Sequence, residues 1–372
     1  MPSVTVSGAA GRVATLSYDS AANAAVAQGI AAQIQAALLA GTERAADNAL
    51  GAPPALNGLR GLFTQSLSGL TTVPQGYDDI VAAAPLAIIY GNSDAGQRVL
   101  SGSGSLIFNA SGGSGTIVTG GGTSQITIAA GDTGAWSVKT GGTADTITAS
   151  AGSLAVDASG APAGGLGELI KAGSGILTFI GGAGNAKIVG GTGSETVTGG
   201  AGTLNATGGT AGHNVLIAGT GAASLFGAGN GDLLIAKGAA AQGLHAGAGN
   251  ETLNGTAATG TDTFYVGGGL DQIAGGSGNN VYVGGPGEAV VAAAGLSNLF
   301  SFVDGSAGGT MLVNDLTNAS QVDIALTGYG PNEIVNDVAT QTAGANSVTV
   351  TLSDHTSITF ANMTHLTAGN FS

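Results

Sequence analysis

The chain has no cysteine, so neither disulfides nor thiolate-held metals can staple its fold. Charge is scarce as well: only 8% of residues are Asp, Glu, Lys or Arg, against about a quarter in ordinary globular domains. The 8 basic residues are outnumbered by 22 acidic ones, and the net charge of −14 disfavours nucleic acid and anionic membrane surfaces as partners. Divalent cations stay compatible with that sign. No apolar run approaches the roughly 18 residues that cross a bilayer, so no membrane span is expected. The opening stretch, MPSVTVSGAAGRVATLSYD, is strand-like and polar, and an N-terminal secretory leader is not expected there. With 8 prolines and no Gly-X-Y period, collagen is excluded.

What the chain has in excess is glycine, 70 residues of it, beside a hydrophobic content of 43%. Glycine loses the most conformational freedom on folding, and a conventional core would have to offset that loss at dozens of positions. A repetitive solenoid accommodates it: glycines take turns that need positive φ or close backbone contact, and hydrogen bonds between coils supply the order. A flexible Gly/Ser linker does not fit, because Ile, Val, Leu and Phe recur too regularly.

The best helix is DSAANAAVAQGIAAQIQAALLA, 19–40, with Asp19 or Ser20 as cap, Val26, Ile30, Ile34 and Leu38 as an apolar stripe, and Gly41 at the C-cap. Its polar face lacks the Lys and Arg of a membrane-surface helix, and the stripe points to packing on the protein's own solenoid end. A second, weaker helical stretch is expected over 42–50, broken by Pro53 and Pro54. From about residue 78 the text changes to β-branched clusters of three to five residues between turn formers, such as TIVTGGG, SQITIAAG and DTITASAG, one short strand per repeat. Residues 161–180 are less regular and suit a small insertion or a joint. The expected fold is all-β: a parallel β-roll or β-helix solenoid with a small N-terminal helical cap and a C-terminal β-hairpin. Its parts are a strand and helical cap over 1–77, a first solenoid block over 78–160, a nonapeptide roll over 161–285 and a β-rich segment over 286–372.

Gly-Gly pairs at 181/182, 190/191, 199/200 and 208/209 set a nine-residue period. On a Gly-Gly-x-Gly-x-Asp-x-U-x frame the apolar slot U holds Ile188, Val197, Ala206, Leu225, Leu234, Leu253, Phe264, Ile273 and Tyr282. The aspartate slot holds Ala186, Glu195, Leu204, Ala223, Asp232, Glu251, Asp262, Asp271 and Asn280. Calcium takes about six to eight oxygen ligands, which Ala and Leu cannot supply. The candidate metal ligands are therefore Asp232, Glu251, Asp262, Asp271 and Asn280; the alternative is that these residues are turn formers without a metal. The run over 181–285 resembles the RTX family of secreted Gram-negative proteins, whose depleted aspartates here mark a departure. That resemblance implies a parallel β-roll with two nonapeptides per coil, calcium as the bound ion and folding outside the cell.

At the other end, NSVTVTLSDHTSITFANMTHLTAGNFS (346–372) holds two alternating strands, Val348 to Leu352 and Ser357 to Ala361, around a Ser-Asp-His-Thr turn. It resembles the terminal segment of type I secretion substrates; a plain capping hairpin is the alternative. No catalytic constellation stands out. The histidines 213, 245, 355 and 365 are scattered, no His-Glu-x-x-His occurs, and the Asp78/Asp79 pair reads as a solvated turn. The sequence thus points to a secreted, extracellular or cell-surface structural protein, not an enzyme, that self-associates into a surface layer, filament or biofilm matrix with calcium assisting. The alternatives are a calcium-dependent adhesin or carbohydrate-binding module on cell-surface or matrix polysaccharide, then a polysaccharide-acting enzyme, with ice binding by threonine faces weaker still.

Overall fold

The computed structural model describes residues 1–295, 297–316 and 318–372. Two compact units, Met1–Thr203 and Leu204–Ser372, divide the chain. Each is a parallel β-solenoid in which successive short strands alternate between two sheets.

In the first unit one sheet climbs from Glu43–Asp47 and Arg60–Gln65 to Leu177–Ile180 and Glu195–Thr198. The other climbs from Gly69–Thr72 and Leu86–Tyr90 to Glu168–Lys171 and Ala186–Val189. Residues paired across neighbouring strands are 17 to 23 apart in sequence (Glu43 with Arg60, Leu154 with Leu177), about two nonapeptide lengths. Alternation does the rest: Val99, Ile117, Val138, Val156, Phe179 and Val197 stack on the inner face of one sheet, and Phe108, Ile126, Ile147, Ile170 and Ile188 on that of the other, all buried. Each such side chain taken out of water contributes about 1.5–3 kcal/mol. Residues 161–180 hold a loop with Leu166 92% exposed, then strands Glu168–Lys171 and Leu177–Ile180 that continue the two sheets without a break.

Why glycine repeats is answered by crowding between coils. A Cβ on Gly191 would fall on the carbonyl oxygen of Gly173, and one on Gly193 on that of Gly175. Neither has a positive φ. Close approach, and not left-handed backbone, is what these positions require.

The N-terminal helix spans Ala21–Ala40; Ser20 caps it by accepting from the Asn23 N–H, and Gly41 ends it in the left-handed region at φ 70°. Its seat differs from the expected one. Ala27, Ile30, Ala31 and Ile34 pack with the antiparallel hairpin Ser3–Ser7/Val13–Ser17 onto Leu62, Val81, Leu100 and Val118, which line the outer face of the first sheet. The helix therefore lies along the side of the solenoid, anchored by Asn23 Nδ2 donating to the Thr140 carbonyl at 2.7 Å. The outward-facing Leu and Val of four successive strands form an apolar patch that only a lateral partner can cover. The expected helical stretch at 42–50 is instead the strand Glu43–Asp47, paired in parallel with Arg60–Gln65. Helix propensity in ERAAD yields to a ladder that would otherwise lose its first rung. Gly29 lies on the exposed side of the helix with nothing near its Cα hydrogens. Gly29→Ala is expected to raise the unfolding free energy by about 1 kcal/mol in denaturant titration.

In the second unit, Leu216, Leu234, Leu253, Ile273, Val291 and Val313 form one inner column. Ala206, Leu225, Leu244, Phe264, Tyr282 and Phe300 form the other, where the last three rings stack at 5.4 and 5.1 Å. Every residue of the predicted apolar slot, in both units, is buried. The C-terminal hairpin is present as Ser347–Thr351 and Ser357–Ala361, and its second strand adds in parallel to Thr310–Val313.

Candidate functional site

The aspartate slot lies two residues before the apolar slot, so strand alternation sends both side chains inward. Asp232, Glu251, Asp262, Asp271 and Asn280 are all within 2% of full burial. They do not form one cluster. Asn214, Asp232, Glu251 and Asp271 follow one another on one sheet, while Gln242, Asp262, Asn280 and Asn298 follow one another on the opposite sheet.

Their partners are mostly backbone groups. Asp232 Oδ2 accepts from the N–H groups of Ala228 (2.9 Å) and Gly229 (3.1 Å), inside its own glycine turn. Its Oδ1 accepts from the N–H (2.9 Å) and Nδ2 (2.8 Å) of Asn214 on the previous coil. Asp271 repeats the arrangement, accepting from Gly267 N–H at 2.8 Å and Glu251 N–H at 3.1 Å. Glu251 Oε1 accepts from Gly249 N–H at 3.0 Å, and Asp262 Oδ1 from Gln242 N–H at 3.0 Å. Asn280 works in reverse: its Nδ2 donates to the carbonyls of Gly276 (3.0 Å), Gly278 (3.3 Å) and Ala294 (3.1 Å). Asp232, Glu251, Asp271 and Asn280 each bracket their own glycine-rich turn, and Asp232, Asp262, Asp271 and Asn280 also reach the coil before or after.

Sequence reasoning missed further polar side chains in the same inward position. Asp145 and Glu168 occupy the same inward position in the first unit, two residues before Ile147 and Ile170, as Gln242 and Asn298 do before Leu244 and Phe300. The signal was available as an acid or amide two places ahead of an aliphatic or aromatic strand centre. Asp145 Oδ1 accepts from Ser124 N–H at 2.6 Å, and burial pushes its pKa up to about 6. Burial, then the charge of Asp145, pushes Glu168 up to about 8. Burial pushes Glu251 to about 8 as well, helped by the hydrogen bond and charge of Asp271, and Asp262 to about 6. An unfolded glutamate ionises near 4.5, so between there and about 8 the folded chain holds protons that unfolding releases. Stability is therefore expected to fall as pH rises from about 4.5 to about 8, and Glu168→Gln to flatten that slope in urea titrations at stepped pH.

Calcium fits this arrangement poorly. A cation needs about six to eight converging oxygens, whereas both carboxylate oxygens of Asp232 and Asp271 meet N–H donors, and the two that accept from none, Glu251 Oε2 and Asp262 Oδ2, belong to opposite sheets. Among the described residues no three His, Cys, Asp or Glu side chains are placed to hold a metal.

Two further groups lie on outer faces. Asp79 is fully buried and sits between Arg60 (Nε to Oδ2, 2.8 Å) and Arg98 (Nε to Oδ1, 2.5 Å), with Arg98 Nη1 donating to Gln33 of the helix at 2.6 Å. Burial opposes ionisation of Asp79, but the two guanidinium groups hold it below its ordinary range. The pair read as a solvated turn is thus part of an ion-pair network, since Asp78 also meets Arg60 at 3.7 Å. Phe226, His245 and Tyr265 stack on the second unit's flank at 4.2 and 3.9 Å, nearly parallel. Both faces of His245 are thereby covered by its neighbours. His213, His355 and His365 are exposed and dispersed.

What fold and site define together is a parallel β-solenoid with internal carboxylate and amide brackets. No family model matches the chain, and neither curated proteins nor solved structures gave a match.

Proposed function

We propose that this is a secreted, non-catalytic structural protein that self-associates into an extracellular layer, filament or matrix. The observation that carries the reading is how its side chains are used: most carboxylates of the repeats bracket their own turns, while outer strand faces that bear few charges, Lys171 and Lys187 among them, expose Ile180 (46%) and Val189 (39%) to solvent. Acids committed to backbone N–H groups are not poised as general acids or bases, and exposed aliphatic residues on regular strands favour contact with other copies. The glycine phase over 181–285 and the hairpin-containing segment 346–372 support export by a type I route. Since Asp232 and Asp271 already spend both carboxylate oxygens on N–H groups, assembly is expected in chelator as readily as in calcium. Negative-stain microscopy and sedimentation of purified protein in both conditions test this. Fibres, sheets or high-mass species in both support the reading; a single-mass particle at every concentration contradicts it.

A further inference from the structure

We infer that Gly69–Thr72 is a self-pairing edge through which two copies of the chain join head to head; the inference rests on the self-association proposed above. Gly69–Thr72 is the end strand of its sheet and, among the described residues, pairs with Leu86–Tyr90 alone. The N–H of Val73 donates to the carbonyl of Tyr90 at 2.8 Å. In a parallel ladder alternate residues point their peptide groups to the same side, so Gly69 and Thr71 also face Leu86–Tyr90, and the N–H and C=O groups of Leu70 and Thr72 face outward.

The other sheet ends carry further elements of the chain. In the same unit Glu43–Asp47 is flanked by the short 3-10 turn Ala9–Gly11 and held by Arg12 Nη1 to Asp47 Oδ2 at 3.4 Å. In the second unit Ser357–Ala361 borders Thr310–Val313, and the final residues border Val322–Thr327, with Ser372 N–H donating to Ile324 at 2.9 Å. Proteins ordinarily shield an edge strand with charge, proline or a covering element. At Gly69–Thr72 the nearby segments 48–59, 66–77 and 83–93 contain no Asp, Glu, Lys or Arg, in a chain of net charge −14. Leu67 (55% exposed), Leu70 (66%), Leu86 (41%) and Tyr90 (44%) flank it.

A second copy is the occupant this edge fits. Two like chains repel wherever their acidic surfaces meet, and this uncharged patch spares them that cost. The edge is also self-complementary. Antiparallel pairing about a twofold axis at Thr71 sets Leu70 opposite Thr72 of the other copy, and Thr72 opposite Leu70, so the outward peptide groups form two reciprocal pairs with none left over. Thr71 then faces itself as a non-hydrogen-bonded pair, at a Cα separation of about 4.5 Å that a disulfide can span. Such a contact closes on itself, so extended assemblies would use it together with a lateral face.

The test is sedimentation of the full chain and of Leu70→Lys and Leu70→Pro, with circular dichroism as a folding control, and oxidation of Thr71→Cys and Leu86→Cys in a chain that has no other cysteine. Expected are particles of at least twice the 35.1 kDa chain mass for the unaltered protein. Association should weaken at least tenfold, towards single mass, in folded Leu70→Lys, and cross-linked dimer should form from Thr71→Cys but not Leu86→Cys. Assembly of both Leu70 variants equal to the unaltered chain, with no Thr71→Cys cross-link, overturns the edge and leaves self-association standing. Single mass for the unaltered chain overturns both.

Discussion

Asp232→Ala is expected to lower the unfolding free energy by about 3–5 kcal/mol, because it removes the acceptor of the N–H groups of Ala228, Gly229 and Asn214 and one of the two acceptors of the Asn214 amide. A buried donor left unpaired costs about 1–3 kcal/mol, and relaxation of the turn recovers part of the sum. The loss should be the same in calcium and in chelator, since it arises from the backbone. Urea titration of the variant in both buffers measures it. A loss confined to the calcium-containing buffer would mean that the carboxylate serves a metal.

The second large effect concerns the glycines. Gly193→Ala places a methyl group on the carbonyl oxygen of Gly175, a backbone atom that cannot swing aside, so the two coils must separate. The cost is expected at about 3 kcal/mol, at the upper end for overpacking, and Gly193→Val should exceed it. The comparison with Gly29→Ala is direct. The same added methyl group meets open space on the helix, where it stabilises, and a packed coil in the turn, where it does not. Thermal unfolding of the two variants side by side should shift in opposite directions.

How much of this the sequence disclosed follows from which signals are local. A nine-residue glycine phase with an aliphatic slot is a local pattern, and Ile188, Val197, Leu253 and Ile273 all point into the solenoid as that pattern requires. Capping by Ser20 and Gly41 and the hairpin around His355 depend on neighbours in sequence and were equally readable. The seat of the helix was not, because the apolar patch it covers is assembled from Leu62, Val81, Leu100 and Val118, single outward residues of separate repeats. Glu43–Asp47 misled for a related reason: its partner strand begins 17 residues later, and composition alone favours helix. The burial of Asp79 depended on Arg60 and Arg98, which flank it from two different strands.

The aspartate slot shows where pattern and chemistry part. An acid in a glycine-rich turn can hold a cation or bracket peptide N–H groups, and the letters are the same for both. Only the inward direction of the side chain and the identity of its neighbours separate them, and here the neighbours are donors. Asn280 makes the point from the other side, since its amide donates to three carbonyls in a slot where its oxygen was the expected ligand.

Amide hydrogen exchange of calcium-free protein, resolved at Asn214, Ala228, Gly229 and Gly267, probes the brackets where they act. Slow exchange at all four, unchanged when calcium is added, is the predicted result. Exchange at unfolded-chain rates in chelator, with protection appearing only on addition of calcium, would contradict it.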